Sequence, residues 1–464
     1  MKAEAYNIEN IVQKVIEEIN NRNNTSNNQK GVFNDMNDAI EAAWLAQKKL
    51  VKYNLEFRNK LVKAMREEIR KNINLLSKMA VEETGMGRYE DKIKKNLLVV
   101  EKTPGVEDLK SEVFSGDDGL TLLELSPYGV IGAITPTTNP SETIVCNAIG
   151  MIAAGNGVVF SPHPSAKKTS LKTIELLNKA IIEAGGPENL LTSIKEPSLS
   201  NAEIMMKHKK INMLVATGGP GVVKAVLSSG KKAIGAGAGN PPAVVDETAD
   251  IEKAARDIIA GCSFDNNLPC IAEKEVIVVD SVADYLIFNM KKNNAYEIKD
   301  KRDIERLEKL VINEDGHPNK SYVGKNADYI LKKIGIDCGP EVRAIILEVD
   351  RDHPFVVEEL MMPILPIVRV KDVDEAIRLA VEVEHGFRHT AIMHSKNVDN
   401  LTRMAKEIQT TIFIKNGPSY AGIGVGGEGY TTFTIAGPTG EGLTSAKTFT
   451  RKRRCVLVGG FSIK

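Results

Sequence analysis

Residues 261–275 read GCSFDNNLPCIAEKE, with two cysteines, Cys262 and Cys270, eight positions apart. A cysteine can act as a nucleophile when held as a thiolate. Otherwise it behaves as a small buried hydrophobe. Cys262 follows ARDIIAG on a helical pattern and is expected to pack. Cys270 follows a proline and an Asn-Asn pair, and the local sequence leaves both readings of it open. Cys146, Cys338 and Cys455 complete the five cysteines and are expected to be structural. There is no C-x-x-C and no His/Cys set with zinc spacing, so no metal site is expected.

Three glycine-rich segments could approach a phosphate. GGPGVVKAV (218–226) lies between a buried strand pattern and a helical one, where backbone amides could hold a pyrophosphate. GAGAGN (235–240) precedes a strand. GIGVGG (422–427) matches G-x-G-x-x-G, but strand-like GYTTFTIAG follows it where a dinucleotide fingerprint needs a helix. None of the three is specific alone.

The elements that must position these groups alternate. Asp35 or Asn37 is expected to cap a helix through Ala39–Leu45, and a second helical pattern runs over about 55–83 to Gly85. From residue 120, LTLLELSPYGVIGAITP predicts a strand, a turn and a buried strand. A helix over 143–154, a strand over 158–162, a helix over 166–184 and a strand over 212–217 follow, with later strands at 243–246 and 275–280. This alternation predicts an α/β fold with a doubly wound parallel sheet.

The ordered set SPYGVIGAITPTTNP (126–140), VATGGPG (215–221), GAGAGNPPAVV (235–245), NNLPC (266–270) and EELMMPILP (358–366) resembles the aldehyde dehydrogenase superfamily from about residue 32 onward. Within it the chain is similar to the coenzyme A-acylating branch. The resemblance implies a Rossmann-like cofactor domain over 32–242, with an oligomerisation hairpin near 115–128. It also implies an α/β catalytic domain over 243–430 and a return over 431–464 to the cofactor domain and an oligomerisation strand.

Residue by residue, the resemblance implies that Cys270 is the nucleophile and that Asn139 donates to the oxyanion. Thr217, Gly218, Gly219 and Gly221 fall at the turn beside the cofactor pyrophosphate. Glu359 matches the glutamate that holds the nicotinamide ribose. Thr135, Pro136, Gly235 and Met361 are expected to contact the cofactor. His163 is expected to line the adenosine pocket, where hydrolytic relatives carry a lysine, and His389 is weighed equally as a site or a core histidine.

In hydrolytic relatives a glutamate opens Glu-Leu-Gly-Gly and activates water against the thioester; here Gly235 stands in its place. A thiol then becomes the expected acyl acceptor, with NAD and coenzyme A as cofactors. Propionaldehyde is the expected substrate, with acetaldehyde and butyraldehyde as alternatives. A water-using aldehyde dehydrogenase and an inert scaffold are the competing classes, and Gly235 and the ordered motif set weigh against them.

The 61 basic and 61 acidic residues cancel, so no nucleic-acid partner is expected. The absence of an apolar run near 18 residues predicts no membrane span, and the cysteine usage fits a reducing cytoplasmic compartment. Ile8, Ile11, Val12, Val15, Ile16 and Ile19 form one apolar helical stripe. Residues 21–31 carry no apolar side chain and read as a disordered linker. This helix on a tether, residues 1–20, is similar to the encapsulation peptides of bacterial microcompartment enzymes. It implies docking to a shell or cargo protein and a location inside a microcompartment. A homodimer or homotetramer is expected.

Overall fold

The structure, a computed structural model, describes residues 31–463. The predicted helix over 1–20 and nearly all of the linker lie outside the described residues. The described chain opens with β1 (Val32–Phe33), α1 (Met36–Leu50), α2 (Leu55–Thr84) and α3 (Tyr89–Lys102). Asp35 caps α1 by accepting from the N–H groups of Asn37 and Asp38, and Asn54 caps α2. Gly85, at φ 64°, ends α2 in the left-handed region that glycine adopts without strain.

A hairpin of β2 (Glu112–Gly116) and β3 (Gly119–Pro127) leads into an alternating run. It comprises β4 (Val130–Thr135), α4 (Pro140–Ala153), β5 (Gly157–Pro162), α5 (Lys167–Glu183), β6 (Leu191–Ile194), α6 (Leu199–Lys207), β7 (Ile211–Thr217), α7 (Pro220–Leu227) and β8 (Lys232–Ala236). With β1, these strands make a parallel six-stranded sheet in the order β1-β6-β5-β4-β7-β8. The chain winds outward from β4 to β5 and β6, then returns to β7 on the other side. That reversal opens a crevice at the C-terminal ends of β4 and β7.

The second half supplies β9 (Pro242–Val245), α8 (Ile251–Cys262), β10 (Glu275–Val279), α9 (Asp280–Lys292), β11 (Ala295–Glu297), α10 (Lys301–Val311), α11 (Ala327–Lys333), β12 (Ala344–Glu348), α12 (Pro354–Val357), β13 (Ile364–Val370), α13 (Val373–Val383), β14 (Thr390–His394), α14 (Val398–Ile408) and β15 (Ile412–Lys415). Its strands form a parallel seven-stranded sheet in the order β11-β12-β13-β10-β9-β14-β15. Central strands such as β5, β9 and β10 are wholly buried, which suits parallel sheets covered on both faces.

The chain then turns back. β16 (Ile435–Ala436) pairs with β17 (Gly442–Leu443), and β18 (Thr450–Val458) pairs antiparallel with β3. The strand-like GYTTFTIAG folds as a strand only at Ile435 and Ala436. Its threonines face inward and bond one another and the first half: Thr434 Oγ1 lies 3.1 Å from Asn147 Oδ1. Cys455, expected to be structural, is exposed on β18. Every residue of α4 is buried, including the polar Ser141, Glu142, Thr143 and Asn147. A single apolar cluster runs from Ile131 and Val158 through α4 to Ala243 and Val276.

Candidate active site

Where the two sheets meet, the C-terminal edge of the first faces the N-terminal edge of the second. From the first edge come Pro136 and Asn139 after β4, His163 after β5 and Gly218 after β7. From the second come Cys270 before β10, Glu359 and Met361 before β13, and His389 before β14. Together they enclose a cavity of about 420 Å³, closed on a third side by Thr432, Phe433 and Ile435 from the returning chain.

The cysteine loop is held in an unusual backbone. Asp265, Asn266 and Asn267 adopt φ values of 48°, 54° and 67°, three successive residues in the left-handed region. Asparagine and aspartate enter that region more readily than other side chains, but such a run persists only when its surroundings enforce it. Each of the three is fixed by its own bonds. Asn267 donates through Nδ2 to the carbonyls of Cys262 and Glu273, and accepts from the buried Lys274. Asn266 donates to Gly324 O and Asn326 Oδ1. Asp265, fully buried, accepts from Arg88 N at 2.7 Å, Lys92 Nζ at 3.1 Å and Lys95 Nζ at 2.5 Å. Burial alone would raise the Asp265 carboxyl; the two lysines outweigh it and hold the group below its ordinary value.

Cys270 is half-buried on the cavity wall. Burial pushes its thiol up to about 12, and the nearby Glu359 adds to this, while Lys274, its own backbone N–H and Lys95 oppose it. The resting group is therefore a neutral thiol that needs a proton acceptor. His389 lines the same cavity and is buried. Its Nδ1 lies 2.8 Å from Thr390 Oγ1, its backbone N–H donates to Glu384, and its Nε2 has no hydrogen-bond partner among the described residues. Burial, then Lys274, pushes it down to about 4, so the imidazole is neutral near pH 7. Gly239 packs against both the ring and the cysteine loop. A Cβ at 239 would stand 2.9 Å from both Cys270 O and His389 Cγ.

Asn139 is nine-tenths buried at the start of α4, ahead of Pro140 at the first helical position. Its Oδ1 accepts from Lys95 Nζ at 2.6 Å and its Nδ2 lies 3.1 Å from Thr138 Oγ1. Glu359 sits in the loop after α12; its Oε1 forms an ion pair with Lys274 Nζ at 3.8 Å and has no hydrogen-bond partner among the described residues. Its carboxyl is raised chiefly by burial.

The phosphate-side residues are disposed unevenly. Gly218 and Gly219 line the cavity with nothing within 4 Å of where a Cβ would stand, leaving open space before the N-terminus of α7. This side-chain-free wall fits a dinucleotide pyrophosphate. Thr217, also on the wall, is tied by its hydroxyl to Thr434 at 2.8 Å. Gly221 is exposed and Thr135 is buried, and the structure places neither on the cavity wall. Thr135 instead accepts from His163 N–H at 3.1 Å and so sets that residue's position. Met361 lines the wall at φ 52°.

Gly235 lies on β8, just outside the wall formed by Ala236, Gly237 and Ala238. A Cβ there would meet Val223 Cγ1 at 2.6 Å. A side chain at 235 would require the Val223 side chain to shift.

Sequence reasoning passed over Lys92, Lys95, Asp265, Lys274 and Phe433. Lys92 and Lys95 stand one turn apart in DKIKKNLL, which reads as an ordinary solvated face. Lys92, Lys95 and Asn96 fall at i, i+3 and i+4, the spacing of one helical face, and that signal is weak.

The chain matches the aldehyde dehydrogenase family over residues 11–437. It is 51% identical over 436 residues to the propanal dehydrogenase (CoA-propanoylating) of Salmonella typhimurium, covering 94% of each chain. It is 49% identical over 438 residues to the acetylating acetaldehyde dehydrogenase of the same organism, covering 93% of each. A solved structure of Rhodopseudomonas palustris propionaldehyde dehydrogenase with bound CoA and an acylated cysteine aligns with TM-score 0.93 and 62% identity, over 94% of this chain and 99% of that one. The propionaldehyde dehydrogenase of the Clostridium phytofermentans fucose utilisation bacterial microcompartment aligns with TM-score 0.92 and 56% identity, over 94% and 100%. A half-buried cysteine between two facing parallel sheets, together with these likenesses along nearly the whole chain, places the protein in the aldehyde dehydrogenase family, among its CoA-acylating members.

Proposed function

We propose that the protein oxidises a short-chain aldehyde, propionaldehyde foremost, and passes the acyl group from Cys270 to coenzyme A. The observation that carries this reading is the pairing of a cavity-lining cysteine with Gly235. No carboxylate stands at 235 to activate water, and Val223 packs where its side chain would begin. The relatives named for CoA-propanoylating and acetylating activities support the same reading.

Cys270 Sγ loses its proton to His389 Nε2, the neutral nitrogen on the same cavity wall with no hydrogen-bond partner among the described residues, although burial makes it a weak base. The thiolate adds to the aldehyde carbonyl, and the Asn139 amide and the Cys270 backbone N–H receive the developing alkoxide. A nicotinamide dinucleotide bound along Gly218, Gly219 and Glu359 supplies the hydride acceptor. Loss of hydride leaves an acyl thioester on Cys270, and the coenzyme A thiol attacks it and restores the cysteine. NAD is the expected nucleotide. Acetaldehyde is the second substrate reading, because one methylene changes discrimination by only about 1–3 kcal/mol and an acetylating relative is nearly as similar.

Residues 1–20 carry the docking function in this reading, placing the enzyme in a microcompartment as in the relative from the fucose utilisation compartment. Deleting residues 1–20 is expected to leave turnover unchanged and to abolish co-sedimentation with shells; undiminished co-sedimentation contradicts the assignment.

Incubating the protein with propionaldehyde and NAD, without coenzyme A, is expected to leave one propionyl group on the peptide containing Cys270, seen by mass spectrometry and removed by coenzyme A. Cys270→Ala carries none. A propionyl group found elsewhere, or turnover by Cys270→Ala, contradicts the mechanism.

His389→Gln is expected to lower the acylation rate about 10²- to 10⁴-fold at neutral pH. The parent rate should fall only as pH drops towards about 4, where His389 takes up a proton. The variant should instead climb roughly tenfold per pH unit as the thiolate fraction rises. A variant rate within threefold of the parent at pH 7 removes His389 from the base role.

A further inference from the structure

We infer that Lys95 is the positioning residue for the oxyanion amide: it fixes which end of Asn139 faces the substrate and strengthens the N–H that remains. This rests on the oxyanion role of Asn139 proposed above. An ammonium only donates, so the atom of Asn139 that meets Lys95 Nζ at 2.6 Å is the carbonyl oxygen. The NH₂ group is thereby turned away from Lys95, towards Thr138 and the cavity that Asn139 lines. Without that contact the two ends of the amide are nearly equivalent in shape, and a flipped amide would present an acceptor to an alkoxide.

Lys95 is itself held without freedom. It is fully buried; its ammonium donates to Asn139 Oδ1 and forms ion pairs with Asp265 Oδ2 at 2.5 Å and Glu142 Oε1 at 3.2 Å. The Phe433 ring covers it with its centroid at 5.8 Å. Lys92, on the same face of α3, shares Asp265. Two carboxylates keep Lys95 charged, so the bond to Asn139 is charge-assisted. A cation on the carbonyl draws electron density from the amide and makes Nδ2–H a better donor. The same ammonium joins Asn139, from the first half, to Asp265, which anchors the cysteine loop of the second. It therefore sets donor and nucleophile in one frame, acting through Asn139 without touching substrate.

The test is a double-mutant cycle in the full-length enzyme with propionaldehyde, NAD and coenzyme A. Lys95→Gln removes the charge. Lys95→Arg keeps it, for the case where the buried cluster does not fold without a cation. Each is made alone and with Asn139→Ala. Lys95→Gln is expected to lower kcat by at least about tenfold, Lys95→Arg by a smaller factor, and KM for aldehyde is expected to stay within about threefold. In the Asn139→Ala background either change should move kcat less than twofold, because the group it acts through is gone. A general structural role would lower kcat by the same factor in both backgrounds, and that result overturns the inference, as does full kcat for both Lys95 variants. If Asn139→Ala alone keeps full kcat, the oxyanion role is wrong; if it loses activity while Lys95 variants do not, only the role of Lys95 is wrong.

Discussion

The site depends on one buried carboxylate. Asp265 is wholly removed from solvent, where an uncompensated charge is untenable, and breaking such a pair typically costs about 3–5 kcal/mol. Its partners, Lys92, Lys95 and the Arg88 N–H, belong to α3 or the residue that starts it. Asp265 belongs to the strained turn that ends at Cys270. The pairing requirement therefore docks the nucleophile loop of one half onto the oxyanion side of the other. Gly87 meets the same constraint: at φ 80°, a Cβ there would stand 2.2 Å from Asp265 Oδ1.

From that anchor the chemistry follows in order. Facing the two sheet edges places a cysteine, a histidine and an asparagine around one small cavity. Burial then keeps each group in the state it needs: a neutral imidazole with a free nitrogen, and an amide with a fixed end. The thiol is the exception, since burial holds it protonated. A thiol held protonated in this way is less open to adventitious reaction than a resting thiolate.

Much of the fold was legible because its strands are short apolar runs between glycine turns, and because caps such as Asp35 and Gly85 mark helix ends. Asn139, Glu359 and Cys270 could be singled out only through the ordered motifs that carry the family resemblance, since the local sequence around each fits a packing or turn role equally well. Lys95 and Lys92 could not, because burial of a lysine is a property of its partner, here Asp265, 173 residues on from Lys92, and helical charge patterns look alike whether they face water or an aspartate. Gly235 was legible as an absence, but the packing of Val223 against it was not. Thr135 and Gly221 lie beside motif residues yet off the cavity wall, since neighbours along a strand end or turn point to different sides.

The choice of acyl acceptor is the point on which the functional reading stands. The most direct measurement is steady-state formation of reduced nicotinamide, followed by its ultraviolet absorbance, with propionaldehyde and NAD in the presence and absence of coenzyme A. The mechanism predicts sustained turnover only with coenzyme A, and without it at most one equivalent per active site as Cys270 becomes acylated. Sustained turnover without coenzyme A would mean that water reaches the thioester in spite of Gly235 and Val223, and would contradict acyl transfer to a thiol as the reaction this site is built for.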